Sequence, residues 1–181
     1  MIEGDLSATF FKNKYKKISK EWSKLTAITD HNNAFSSLYT QINDEFLNKI
    51  KNSSKTSQIR INSIFANDTP GQFSFNFEAA DGIRYCDNLL VFKLITKKLA
   101  EDHDVTASFM PKISPAYEGN TASLKISIID TKTNKNVLAD LNAGSLGQNN
   151  IGTNILGGIY STLNDLFVFY NPTVNSYKRL K

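Results

Sequence analysis

The sequence predicts an α+β domain, and three observations carry that reading. Gln72–Phe77 alternates strictly, with Phe73, Phe75 and Phe77 on one side and Gln72, Ser74 and Asn76 on the other. Thr121–Ile129 alternates again, with Leu124, Ile126 and Ile128 against Lys125 and Ser127. Two long stretches, Ala79–Glu101 and Asn154–Tyr170, instead carry their apolar residues at helical spacing. Strands and helices thus alternate along the chain, but the strand pairs read as antiparallel, which separates α+β from a parallel α/β sheet.

Taken in order, Asp5–Phe11 predicts a strand that ends on the pair Phe10-Phe11. A polar stretch follows, with Lys12, Lys14, Lys16, Lys17, Lys20 and Lys24 crowded together. Asn33–Lys51 places Phe35, Leu38, Tyr39, Ile42, Phe46, Leu47 and Ile50 on one helical face, and Asn52-Ser53-Ser54 reads as its end. Gln58–Phe65 is a strand, Thr69-Pro70-Gly71 a turn, and the strand from Gln72 completes a hairpin.

The helix over Ala79–Glu101 has a wide stripe of Leu89, Leu90, Val91, Phe92, Leu94, Ile95 and Leu99, suited to covering a sheet. Cys86 falls beside it and reads as a small buried apolar residue. His103 reads as a capping residue at the helix end. Val105–Met110 is a strand stopped by Pro111, and Ile113–Gly119 is a loop. After the strand over Thr121–Ile129 come a polar turn at Asp130–Asn136, a short strand at Val137–Leu141 and a loop at Ala143–Thr153. The helix Asn154–Tyr170 then carries Leu156, Ile159, Leu163, Leu166, Phe167 and Tyr170 as a stripe to pack on the back of the sheet, and Asn171–Leu180 reads as a loop.

Composition narrows the class. The chain has 181 residues, 40% hydrophobic and 21% charged, which predicts one globular domain over residues 1–181. No apolar run approaches the ~20 residues of a membrane span, and the N-terminal MIEGDL lacks the pattern of a secretory leader. Cys86 is the single cysteine, which excludes an internal disulfide and points to a reducing compartment, read as the cytoplasm. The net charge of +4 is modest. The lysine-rich stretch reads as a solvated face, because no nucleic-acid motif accompanies it. Neither nucleic acid nor membrane is an expected partner. His31 and His103 lie far apart, which gives no histidine metal site.

The end of the chain is the most specific feature. Asn171–Leu180 reads NPTVNSYKRL, and upstream lie Pro70-Gly71-Gln72 with Phe75-Asn76-Phe77, Ala80-Asp81 with Asp87-Asn88, Lys93 and Ala100, and Thr106-Ala107-Ser108-Phe109-Met110-Pro111-Lys112. In this order these segments resemble the catalytic domain of glutamine synthetase. The resemblance is strongest over 57–181 and weak over 1–56, where Ser7-Ala8-Thr9-Phe10-Phe11 is faintly similar to the family's first catalytic strand. It implies a partial form of that domain, a curved antiparallel sheet with helices packed on one face. It also implies a link to glutamine biosynthesis and nitrogen metabolism. The family phosphorylates glutamate with ATP and lets ammonia displace the phosphate, aided by two Mg²⁺ or Mn²⁺ ions. By resemblance, Arg179 would hold the glutamate carboxylate through its planar fork, with Asn175 beside it in the same segment.

The resemblance also marks departures. Thr9, Ala66, Ser74 and Leu124 occupy positions matched to the family's metal ligands, as do Ser7, Ile64 and Ile126. A one-residue shift near Leu124 restores no ligand, since no histidine follows His103, and Asp68 and Glu78 are the acids left near the turn. Hard cations need charged oxygens, so no metal, cofactor or catalytic residue is expected of this chain. The residues that follow KRL in the family, and its small N-terminal domain, are not expected here. The reading is a truncated, catalytically inactive glutamine-synthetase-like protein, a pseudoenzyme or fragment, acting as a binding or regulatory module on an intact synthetase or on itself. The alternative is an active ATP-dependent glutamate–ammonia or γ-glutamyl–amine ligase, and a third reading is a decaying gene fragment without a role.

Overall fold

A computed structural model of the chain describes residues 1–12, 26–29, 35–138 and 149–180. Most of the lysine-rich stretch, His31 and the proposed loop at 143–148 lie outside the described residues.

One antiparallel sheet organises the domain. Its strands are β1 (Ile2–Phe11), β2 (Ile61–Ala66), β3 (Gln72–Ala80), β4 (Thr106–Ser108) and β5 (Ala122–Ile126). The order is β2-β3-β1-β4, with β5 pairing the same edge of β1 nearer its start. The period-2 pattern decides the faces. Leu6, Ala8 and Phe10 of β1 stand opposite or beside Phe75 and Phe73, while Ser7 and Thr9 stand opposite Ser74 and Gln72. One face is therefore apolar and the other polar.

The apolar face is covered by α2 (Asp44–Thr56) and α3 (Gly82–Asp102), with the short α1 (Ser37–Ile42) against β2. Phe73, Phe75 and Phe77 are buried as the alternation predicts. Phe92 of α3 sits 5.0 Å from Phe75 and 4.9 Å from Phe77, and Phe46 of α2 meets Phe10 edge-on at 5.3 Å. Such aromatic pairs add to the burial of large apolar area. Truncating Phe92 would cost about 3–5 kcal/mol.

The structure corrects several expectations. The helix read as Asn33–Lys51 is two helices broken at Asn43, and it runs on through Asn52-Ser53-Ser54 to Thr56. Ser54 is fully buried on the stripe of Leu47 and Ile50, so its small size serves packing. The stripe on α3 is narrower than expected: Tyr85, Phe92, Thr96 and Ala100 are buried, while Leu90, Val91 and Leu94 are exposed. Cys86 is exposed, not buried. His103 does cap α3, its N–H bonding Leu99 and Ala100 carbonyls, and its ring meets Phe46 at 5.4 Å. β4 spans three residues, and β5 ends at Ile126, with Met1 and Ser127 exchanging two further backbone bonds at the chain's start. Val137 and Leu138 form a turn instead of a strand.

The last two elements are α4 (Asn150–Tyr170) and α5 (Val174–Arg179). α4 starts earlier than its stripe suggested, because the Asn149 side chain accepts from Gly152 N–H as an N-cap. The segment read as a terminal loop holds α5, capped by Thr173. The expected packing of α4 on the back of the sheet does not occur. Its single buried residue is Gly152.

Candidate functional site

The polar face of the sheet carries the positions that a glutamine-synthetase-like site would use. Ser7 and Ser74 face each other across β1 and β3, and Thr9 lies opposite Gln72. All four are buried. Around them the chain builds one neutral hydrogen-bond network. Thr9 Oγ1 donates to Asn120 Oδ1 at 2.9 Å, and Gln72 Nε2 donates to the same oxygen at 2.8 Å. Asn120 Nδ2 donates to the carbonyls of Ser108 and Met110 at 3.1 and 3.0 Å. Asn67 Nδ2 donates to Gln72 Oε1 and Ser74 Oγ, and Ser74 Oγ returns a bond to Asn67 Oδ1. Ser7 Oγ bonds Thr121 through both backbone and side chain.

Strand register puts four of the positions matched to family ligands, Ala66, Ile64, Leu124 and Ile126, on the apolar side of the sheet. Ala66 lies opposite Phe73 and is buried in the apolar core, so it never reaches the polar face. The next residue, Asn67, is the one that joins Ser74. Leu124 and Ile126 lie opposite Gly4 and Ile2, on the apolar side of the sheet. Ser123 and Lys125 hold the polar side: Ser123 Oγ donates to Asp5 Oδ2 at 3.0 Å, and Lys125 Nζ lies 4.0 Å from Glu3 Oε1. Ile64, opposite Phe75, is likewise a core-side residue. Asn67 and Asn120 thus join the polar face of the candidate site, and the sequence reading did not single them out. A one-residue shift before the Pro-Gly turn would have found Asn67. Asn120 follows Gly119 at the end of an irregular loop and carries no local signal.

These residues do not fit a pair of Mg²⁺ or Mn²⁺ ions. Such ions take charged oxygens that converge, and here Ser7, Thr9, Asn67 and Ser74 offer neutral oxygens engaged with Thr121, with Asn120 and with each other in turn. Among the described residues, no three His, Cys, Asp or Glu side chains gather closely enough to hold a metal.

Beside Thr9 the face opens into a groove of about 580 Å³, lined among others by Phe11, Thr29, Thr69, Tyr117 and Glu118. No lysine or arginine among the described residues lines it, and Lys112 Nζ donates to the carbonyl of the lining residue Tyr117 at 2.7 Å. The Pro-Gly turn at its rim is fixed by Gly71, at φ 70°, whose carbonyl accepts from Phe10 N–H. A side chain there would bring Cβ to 2.5 Å from Phe10 O.

The two substrate candidates in the terminal segment have different surroundings. The Asn175 amide is spent on the backbone of Lys112: Oδ1 accepts from its N–H at 2.7 Å and Nδ2 donates to its carbonyl at 2.6 Å. This double bond fastens α5 to the Met110-Pro111-Lys112 loop. Arg179 is exposed and forms no ion pair among the described residues, and its Cγ packs beside Gly119. Gly119 has to be glycine, because a Cβ there would lie 1.8 Å from Pro111 O.

The catalytic-domain model of glutamine synthetase matches residues 7–181 of the chain. Glutamine synthetase of Rhizobium meliloti (strain 1021) is 40% identical over 113 residues, 62% of this chain and 26% of that protein. Glutamate–isopropylamine ligase of Pseudomonas sp is 23% identical over 159 residues, 88% of this chain and 34% of that protein. Ligand-free GmaS superposes with a TM-score of 0.83 at 23% identity, covering 99% of this chain and 41% of GmaS. Plasmodium falciparum glutamine synthetase gives 0.78 at 21% identity, covering 98% and 39%. The chain thus spans about a quarter to a third of these curated relatives' length. Its α+β fold, an antiparallel sheet with helices on one face, corresponds to part of those structures.

Proposed function

The chain belongs to the glutamine synthetase catalytic-domain family, and on that premise we propose that by itself it is a catalytically silent, glutamine-synthetase-like module. One observation carries this reading: the polar face holds a closed, neutral hydrogen-bond network where the reaction needs charge. Phosphoryl transfer to a carboxylate is an electrostatic problem, met by metal ions and cationic clamps placed before the reaction begins. Ser7, Thr9, Asn67 and Ser74 supply no negative charge for a cation, and no lysine or arginine among the described residues lines the groove beside them. Loss of a single preorganised charge partner commonly costs about 10²–10³ in rate. Several such losses in one site leave no useful catalysis.

In this reading the protein works by binding, in the cytoplasm, against an intact synthetase or another copy of itself, without nucleic acid or membrane. Arg179 is exposed and free to meet a carboxylate. On an exposed terminal segment that is not preorganised around a ligand, its affinity for glutamate is weak.

The test is a glutamine-forming assay on the purified chain with glutamate, ammonia, ATP and Mg²⁺ or Mn²⁺, repeated with isopropylamine as the amine. No product above a protein-free control is expected. Turnover abolished by Arg179→Ala would instead establish the ligase reading.

A further inference from the structure

The groove beside Thr9 lies between two segments that the fold holds in place. Residues 26–29 are tied to the end of β1: Lys12 N–H donates to the Thr26 carbonyl at 2.8 Å, Ile28 N–H donates to the Phe10 carbonyl at 3.1 Å, and Phe11 bridges Ala27. The loop over 113–118 is braced by Ser114 Oγ, which accepts from Ala116 N–H at 3.2 Å, and by the Lys112 amine on the Tyr117 carbonyl. Phe11, Pro70, Ile113, Pro115 and Tyr117 give the groove an apolar lining. At about 580 Å³ it has the size of a site for a small organic molecule.

The polar groups of the groove are few, and their remaining hydrogen-bonding capacity leans one way. Thr9 Oγ1 has given its hydrogen to Asn120, and Thr69 Oγ1 donates to the Glu118 carbonyl at 3.3 Å. Both hydroxyls therefore keep acceptor lone pairs alone, and both residues are buried, so they are fixed in place. Thr29 Oγ1 accepts from Gly71 N–H at 2.6 Å and, like Ser114, retains a hydrogen to give. Glu118 is the one charged residue among the described residues of the lining, and its exposed carboxylate is a pure acceptor. Lys112 does not line the groove.

We propose that this groove binds a small organic cation, a primary ammonium carried on an apolar or aromatic body. An ammonium has donors and no acceptor, which complements the Glu118 carboxylate and the lone pairs of Thr9 and Thr69. The body of the ligand replaces water on Phe11, Pro115 and Tyr117. A carboxylate or phosphate ligand would instead meet Glu118 with no cation in the described lining.

Calorimetry on the purified full chain, with neither ATP nor metal present, tests it with ligands of one aromatic body: phenethylamine, phenethyl alcohol and phenylacetate. The amine should bind saturably at one site, about tenfold more tightly than the alcohol, because its hydrogen bonds to a carboxylate are charge-assisted. Phenylacetate should bind most weakly. Glu118 is exposed, so Glu118→Gln and Glu118→Lys should fold as the wild type does, which circular dichroism checks. Glu118→Gln should bring the amine down to the affinity of the alcohol and leave the alcohol unchanged. Glu118→Lys should reverse the order and favour phenylacetate.

No saturable binding of the amine at millimolar concentration would overturn the proposal. So would an alcohol that binds as tightly as the amine, or an amine whose affinity survives Glu118→Gln. The inference goes beyond the catalytically silent reading and needs no turnover. Its readout is binding alone, so it and the glutamine-forming assay can each fail without the other.

Discussion

Asn120→Asp is the sharpest probe of the polar face, because it changes charge and hydrogen-bond polarity with almost no change in shape. Asn120 is 6% exposed and makes four bonds, accepting from Thr9 and Gln72 and donating to the carbonyls of Ser108 and Met110. An aspartate keeps the two accepted bonds. It turns the two donated bonds into contacts between a carboxylate oxygen and carbonyl oxygens. Each buried carbonyl left unmet costs about 1–3 kcal/mol, and the buried charge has no cation beside it. The expected loss at pH 7 is therefore about 3–5 kcal/mol, enough to threaten a domain of ordinary stability.

The same argument fixes the pH dependence. Burial and the two carbonyls disfavour the charged form, so the folded-state pKa of the new carboxyl lies above its unfolded value of about 3.9. Below that value the carboxyl is protonated in both states, can donate to one carbonyl, and the deficit shrinks to about 1 kcal/mol. The deficit grows as pH rises above the unfolded value and levels off above the folded pKa. Urea unfolding of both chains between pH 4 and 7.5 measures it. A variant as stable as wild type at pH 7 would refute the closed neutral network. Recovery of its stability by stoichiometric Mn²⁺ would show that the face accepts a metal after all.

Two further perturbations probe other parts of the fold. Asn175→Ala removes both bonds to the Lys112 backbone and should cost about 2–4 kcal/mol, concentrated in α5 and the Met110–Lys112 loop. Hydrogen exchange should show faster exchange at the Lys112 amide, and unchanged protection there would rule out the clamp. Tyr85 is buried with its hydroxyl unpartnered, and burial, with Asp5 nearby, pushes its pKa up to about 12. Tyrosine is an acid held neutral in the fold, so stability should be fully present below about pH 10 and fall between there and 12. Tyr85→Phe should be as stable as wild type or more so at pH 7 and should lose the part of that alkaline slope due to this residue. A clear destabilisation at pH 7 would mean that the hydroxyl has a partner.

The sequence by itself determined the elements whose signal is local and repeated. The Phe73, Phe75 and Phe77 alternation settled which side of β3 is buried, because a strand's side chains have a strict period of two. The run of segments from Pro70 to Leu180 determined the family, because order and spacing of side chains are properties of the chain alone. The tertiary structure decided everything that hangs on register. A slip of one residue moves a side chain to the opposite face, which is why Ala66 and Leu124 belong to the apolar side while Asn67 and Ser123 hold the polar one. It also decided what a side chain is spent on: Asn175 serves the Lys112 backbone, a partner 63 positions away that no local pattern names. The last such case is α4. Its apolar half is plain in the sequence, but its path is set by where its two ends are tied, at the Val137 carbonyl and the Lys112 backbone, and those ties exist only once the chain has folded.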